Sequence, residues 1–321
     1  MLRALKNWLL TGAAILAGLC IILSGLGGIG YVQRMQVKAP YSLMTVEGDR
    51  RLHVLCEGPE DAPFVLYDAG AFGIYTDGWW IKEALKRDHR VCLYDRAGMG
   101  WSDPVPETAR PSPDWHVEDM RRLRRALGAE APFVLVGHSM AGLRLHAYAN
   151  AYPEELLGLV FIDAARPQTM DVDRANRFVP WMLRAMAVGA GLARVGVAGG
   201  VAYLLPDELD LPAQQGRDKR RSIASVRHHK ATRAEIAVAF ETWPAASWRT
   251  DTGAERLAVS VFTNSPGGGA NGPVAEAAKA RTGMGRITVL EDESHVSLLN
   301  AVNAVKVAAD VRAMTRVIGT P

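Results

Sequence analysis

The chain has 321 residues, 49% of them apolar, and a formal net charge of +3. That length can bury the core of one large α/β domain, and the mild charge gives no strong signal for nucleic acid, which is not expected as a partner. Three cysteines, Cys20, Cys56 and Cys92, include no Cys-x-x-Cys pair; this argues against a disulfide scaffold or a structural zinc site, and they read as buried free thiols.

The N-terminus carries no charged residue from Asn7 to Gln33, with Arg3 and Lys6 before the run and Arg34 and Lys38 after it. A bilayer-spanning helix needs about 20 apolar residues. The run is longer than a usual signal-peptide core and has no clear Ala-x-Ala cleavage site. Residues 1–40 are therefore expected to be a membrane anchor and joint, with secretion after signal cleavage as the alternative. Basic residues at the extreme N-terminus predict that this end stays cytoplasmic and that the remainder of the chain lies outside.

Strand-like runs follow at residues 43–46 and 52–56, joined by a turn at Gly48-Asp49. Residues 64–67 form a third run, ending in Asp68-Ala69-Gly70-Ala71, and a helix is expected over 79–85. Residues 91–94 form a fourth, followed by Asp95-Arg96-Ala97-Gly98-Met99-Gly100-Trp101-Ser102-Asp103 and a proline-rich loop. Val117, Met120, Leu123 and Leu127 recur at helical spacing, and Gly128 stops the helix. A short apolar run at 133–136 then breaks through small residues into another helix, with Ser139 at the break. Residues 157–162 form the next strand, ending at Asp163.

Residues 166–250 hold no obvious strand. They contain an apolar stretch (178–205) and a basic one (217–233), and read as an inserted helical lid. Trp181, Met182, Met186 and Tyr203 are expected to form its core or to face an apolar substrate or membrane interface. The basic stretch reads as a solvated face, with contact to anionic lipid as the functional alternative. Strands resume at 257–262 and 287–290, separated by a Gly-rich loop and a helix, and a last helix follows His295. Strands alternating with helices imply a parallel sheet covered on both faces. The core is therefore assigned to residues 41–165 and 251–321.

A serine hydroxyl needs a base to take its proton, and the base is usually a histidine oriented by a carboxylate. Among eight histidines, His295 sits just beyond the last strand. In an open parallel sheet, ligands bind beyond the carboxyl ends of the strands. Ser139, Asp163 and His295 all follow strand ends.

At these residues the chain resembles the α/β-hydrolase fold superfamily, and its serine hydrolases of the esterase and lipase kind. Residues 137–141, Gly-His-Ser-Met-Ala, resemble the nucleophile elbow Gly-x-Ser-x-Gly, with Ala141 in place of the last glycine and Gly142 after it. Residues 95–103 resemble the turn after the fourth strand, and the order Ser139, Asp163, His295 matches the family's order. The resemblance implies a mostly parallel eight-stranded sheet flanked by helices, with the lid inserted. It implies Ser139 as nucleophile, His295 as base, and the backbone N–H groups of Met140 and Ala71 as oxyanion donors, with Phe72 the alternative if the loop is shifted by one. Many relatives carry the acid after the seventh strand; here that loop, 263–267, has no carboxylate, so Asp163 after the sixth is favoured over Asp292 and Glu293. No metal or cofactor is implied. The expected activity is cleavage of an ester or related acyl bond in an apolar small molecule. Carbon–carbon hydrolysis, amidase or acyltransferase chemistry on the same serine is the alternative, and a non-catalytic binding protein is the third reading. Relatives that hydrolyse epoxides use an aspartate where Ser139 stands.

Overall fold

The computed structural model describes residues 2–35, 38–129, 131–166, 172–242 and 253–318. Eight strands form one sheet in the order β1-β2-β4-β3-β5-β6-β7-β8. They are β1 (Ser42–Glu47), β2 (Arg50–Glu57), β3 (Phe64–Asp68), β4 (Arg90–Tyr94), β5 (Phe133–His138), β6 (Leu156–Ile162), β7 (Ala258–Thr263) and β8 (Gly285–Val289). β2 runs antiparallel to β1 and β4, and all neighbours from β4 to β8 are parallel. Every predicted strand exists, with ends shifted by one or two residues.

Side chains of the central strands alternate between two cores. Leu66, Leu135 and Phe161 face α3 (Pro113–Ala126), α4 (Ala141–Ala151) and α9 (Gly272–Thr282). Val65, Val136 and Val160 face α2 (Trp79–Leu85) and α10 (Ala301–Ile318). Both faces are covered, so the strands read as unbroken apolar runs. Local signals set the helix ends. Ser112 caps α3 by accepting from the Trp115 N–H at 3.2 Å, and Pro113 opens its first turn. Gly128, at φ 66°, follows that helix.

Between β6 and β7 the described residues include four α-helices and no strand: α5 (Val172–Arg194), α6 (Val197–Ala202), α7 (Ala213–Ile223) and α8 (Val226–Thr242). The expected lid limits near 166 and 250 adjoin or fall in 167–171 and 243–252, outside the described residues. α5 and α8 pack together over the elbow. Of two expectations for the lid, one is narrowed and one needs correction. Met182 and Met186 pack inward, whereas Trp181 and Tyr203 are 63% and 75% exposed, which rules out the core alternative for those two and leaves the interface one. The stretch 217–233 is also not simply a solvated face: Arg227 donates to the Ser102 and Gly100 carbonyls, and Lys219 pairs with Asp77.

The free-thiol expectation for Cys56 and Cys92 is overturned. They sit directly opposite each other on antiparallel β2 and β4 and form a disulfide, Cα atoms 4.1 Å apart. Residues separated by 36 positions become neighbours only through that register, which spacing alone does not reveal.

The N-terminal run forms one helix, α1 (Leu2–Met35), which packs against α6. Trp8, Leu9, Ile15, Leu16 and Ile21 are exposed. Among the described residues no helix is long and apolar enough to cross a membrane, so the expected spanning anchor is not supported there; side chains described without a break run only over residues 6–19.

Candidate active site

Ser139 occupies the turn between β5 and α4 with φ 56°. A non-glycine residue in the left-handed region costs of order 1–3 kcal/mol and persists only where its surroundings hold it. Here the Ser139 N–H donates to the Ile162 carbonyl at 3.1 Å, and its own carbonyl accepts from Ala165 at 2.8 Å and Gly142 at 3.1 Å. Two glycines make the turn sterically possible. A Cβ on Gly137 would strike Leu145, and one on Gly142 would collide with the Ala165 backbone. Close approach at the elbow thus depends on Gly142, and Ala141 is accommodated fully buried beside it.

Asp163 follows β6, also at positive φ (37°), with its N–H donating to the Phe262 carbonyl at 2.7 Å. Its carboxylate meets His295: Oδ2 accepts from the ring Nδ1 at 2.5 Å, while Oδ1 accepts from the Thr263 hydroxyl at 3.1 Å. The His295 hydrogen bond is the main reason its carboxyl titrates below the usual range, against the opposing effect of burial. The rival acids face elsewhere. Glu293 accepts from the Ser297 hydroxyl at 2.5 Å, and Asp292 lies exposed in the loop.

His138, beside the nucleophile in the chain, links the two halves. Its Nε2–H donates to the His295 carbonyl at 2.9 Å, and the two rings lie 4.5 Å apart. Burial, then the His295 charge, pushes the His138 pKa down to about 4, so it serves here as a neutral donor. Among the described residues no hydrogen bond joins Ser139 Oγ to His295. Such contacts commonly tighten only in the substrate complex.

The loop after β3 lies against the elbow. A Cβ on Gly70 would press on the Ser139 side chain, so only glycine lets this backbone come so near the nucleophile. Phe72 is a further positive-φ residue, at 60°. Met140 and Ala71 both border an apolar cluster roofed by α5 and α8, with Met182, Met186, Ile236 and Ala239 in it. Sequence reasoning missed Thr263, Phe72's strained backbone and the His138–His295 contact. Thr263 alone carried a signal, as the residue directly after the apolar run 257–262; it is the last residue of β7, which ends beside Asp163.

The alpha/beta hydrolase fold model matches residues 69–255, more than half the chain. The chain belongs to the alpha/beta hydrolase fold family. A proline iminopeptidase from Saccharolobus solfataricus is 30% identical over 135 residues, which is 41% of this chain and 39% of that protein. The chain spans less than half the length of the curated relatives it matches. An epoxide hydrolase from Vigna radiata superposes with a TM-score of 0.65 at 16% identity, covering 86% of this chain and 97% of that one. A thermophilic esterase from Thermogutta terrifontis gives 0.55 at 19% identity, covering 87% and 98%. At these identities the structural likeness speaks for the fold. This alpha/beta hydrolase therefore shares its scaffold with enzymes of differing chemistry, and its own side chains must distinguish among them.

Proposed function

We propose that this alpha/beta hydrolase is a serine hydrolase that cleaves an ester or related acyl bond in an apolar substrate. The observation that carries the reading is the strained Ser139 turn beside an Asp163–His295 pair joined at 2.5 Å. Ser139 Oγ attacks the substrate carbonyl carbon while His295 Nε2 takes its proton. The negative charge on the carbonyl oxygen is met by the N–H groups of Met140 and Ala71. His295 then returns the proton to the departing alcohol, leaving an acyl-Ser139. Water repeats the sequence, releasing the acid and free Ser139. Asp163 holds the imidazole in the tautomer with hydrogen on Nδ1, which frees Nε2 to act as base.

The apolar roof at Met182, Met186 and Ile236 favours an apolar acyl or alcohol group. A serine at the elbow, where epoxide-opening relatives carry an aspartate, favours acyl transfer over epoxide opening. The likeness to a proline iminopeptidase favours amide cleavage as the second reading, with the same serine. Turnover of p-nitrophenyl esters of graded chain length by the wild type and by Ser139→Ala tests the assignment. Activity in the wild type alone supports it, and equal rates overturn it.

We also propose an extracytoplasmic location, with residues 7–33 as the anchor or leader. The Cys56–Cys92 bridge supports it, because disulfides persist in oxidising compartments. Protease accessibility of the folded domain in intact cells tests it. Protection until the membrane is opened would overturn it.

A further inference from the structure

Two buried arginines hold the backbone that leads into the proposed oxyanion loop. Arg96 donates to the Ala69 carbonyl at 2.6 Å and to the Gly70 carbonyl at 2.8 Å, and Arg144 donates to the Ala69 carbonyl at 2.7 Å. Asp68 and Glu235 balance their charge. Asp68 accepts from Arg144 Nε at 2.5 Å, and Glu235 accepts from Arg96 Nε at 2.8 Å and from Arg144 at 2.8 Å. All four side chains are no more than 3% exposed. Burial alone would raise the Glu235 pKa, but the two arginine charges more than offset it and bring it to about 2.

Glu235 does not belong to the sheet domain. It lies on lid helix α8, as does His228 two turns earlier on the same face. The Gly100 N–H donates to His228 Nδ1 at 3.2 Å, which leaves the ring hydrogen on Nε2; that hydrogen is donated to the Phe72 carbonyl at 3.0 Å. Between these two ties, Ala231 fills the space over Gly98. The lid helix therefore grips the loop after β3 at both ends of residues 69–72.

A trans peptide plane points its N–H opposite its C=O. The Gly70 carbonyl shares its plane with the Ala71 N–H, so holding that carbonyl with Arg96 sets the direction of the Ala71 donor. A buried ion-pair network adds little stability over an apolar core of the same volume; here it ends on the carbonyls of a single loop beside the nucleophile. We propose that Glu235 is a positioning residue for the oxyanion hole. It acts through Arg96 and Arg144, with His228 as a second tie, so that the lid helix sets the aim of the Ala71 amide. The proposal rests on the serine hydrolase reading above.

Glu235→Gln and His228→Leu separate this role from simple support of the fold. Outright loss of an oxyanion donor costs roughly 100- to 1,000-fold in kcat, so a misaimed one should cost about 10- to 100-fold. Both variants should lower kcat by that factor with KM nearly unchanged. Affinity for phenylboronic acid, whose serine adduct carries a tetrahedral oxygen anion, should fall in parallel. Melting followed by circular dichroism identifies the folded variants. His228→Leu leaves the arginine–carboxylate charge balance intact and decides the question if Glu235→Gln does not fold. A wild type that neither turns over esters nor reacts with a fluorophosphonate at Ser139 overturns the serine hydrolase reading. A reactive wild type, with unchanged kcat and boronate affinity in the folded variants, overturns the positioning role alone.

Discussion

Replacing Asp163 with asparagine removes one charge and changes almost no volume. In the wild type both carboxylate oxygens accept, Oδ2 from His295 at 2.5 Å and Oδ1 from Thr263 at 3.1 Å. Asparagine has one acceptor oxygen and one donor NH2. The Thr263 oxygen already accepts from the Ser265 N–H at 3.1 Å, so its hydroxyl proton favours the amide oxygen. The NH2 then faces His295 Nδ1, and the ring must carry its hydrogen on Nε2. That tautomer cannot take the proton of Ser139. The loss of a correctly oriented base in such a triad is worth about 10⁴-fold in kcat, or roughly 5.5 kcal/mol of barrier. KM should move little, because both Asp163 oxygens are engaged by His295 and Thr263 and act through the imidazole. Burst and steady-state kinetics with a p-nitrophenyl ester measure it. Adding Thr263→Val frees the amide to turn over and should restore part of the rate. An Asp163→Asn enzyme within about tenfold of wild type would refute the assignment of Asp163 as the orienting acid.

The Cys56–Cys92 bridge closes a loop of 36 residues, so chain-entropy arguments assign it about 3–4 kcal/mol of stability; urea unfolding with and without reductant should show that loss, and an unchanged midpoint would count against the bridge. Acid sensitivity should also set in early. Burial lowers His138, His146 and His228 to about 4 and His116 to about 3 in the folded chain, against about 6.5 when unfolded. The unfolded state therefore binds protons first as pH falls below 6.5. Each of these groups then removes up to about 1.4 kcal/mol of stability per pH unit until its folded pKa is reached. Stability from denaturant titration that stays flat between pH 7 and pH 5 would contradict these buried, neutral histidines.

The sheet was legible because its central strands are buried on both faces and so appear as short apolar runs between turns. The elbow was legible because it is local: Gly137, Ser139 and Gly142 sit within one strand–turn–helix unit whose sterics need small residues. The meeting of Asp163 with His295 was legible from their places after strand ends and from the lack of a carboxylate in residues 263–267. The disulfide was not legible, because pairing Cys56 with Cys92 depends on the register of two strands distant in sequence. Core and interface stayed open for Trp181 and Tyr203 because α5 and the residues after α6 are apolar on more than one side, and periodicity cannot say which side meets the core. Glu235 gave no signal, since an acid on a polar helix reads as solvated until its two arginine partners arrive from β4's loop and from α4.

The central claim is that Ser139 is the nucleophile. Its most direct test is tryptic mass spectrometry after reaction with a fluorophosphonate, alongside ester turnover. Ser139 should carry an adduct that abolishes turnover in step with labelling, and Ser139→Ala should show neither adduct nor turnover. Ester hydrolysis that survives in Ser139→Ala, or an adduct found on another residue, would contradict it.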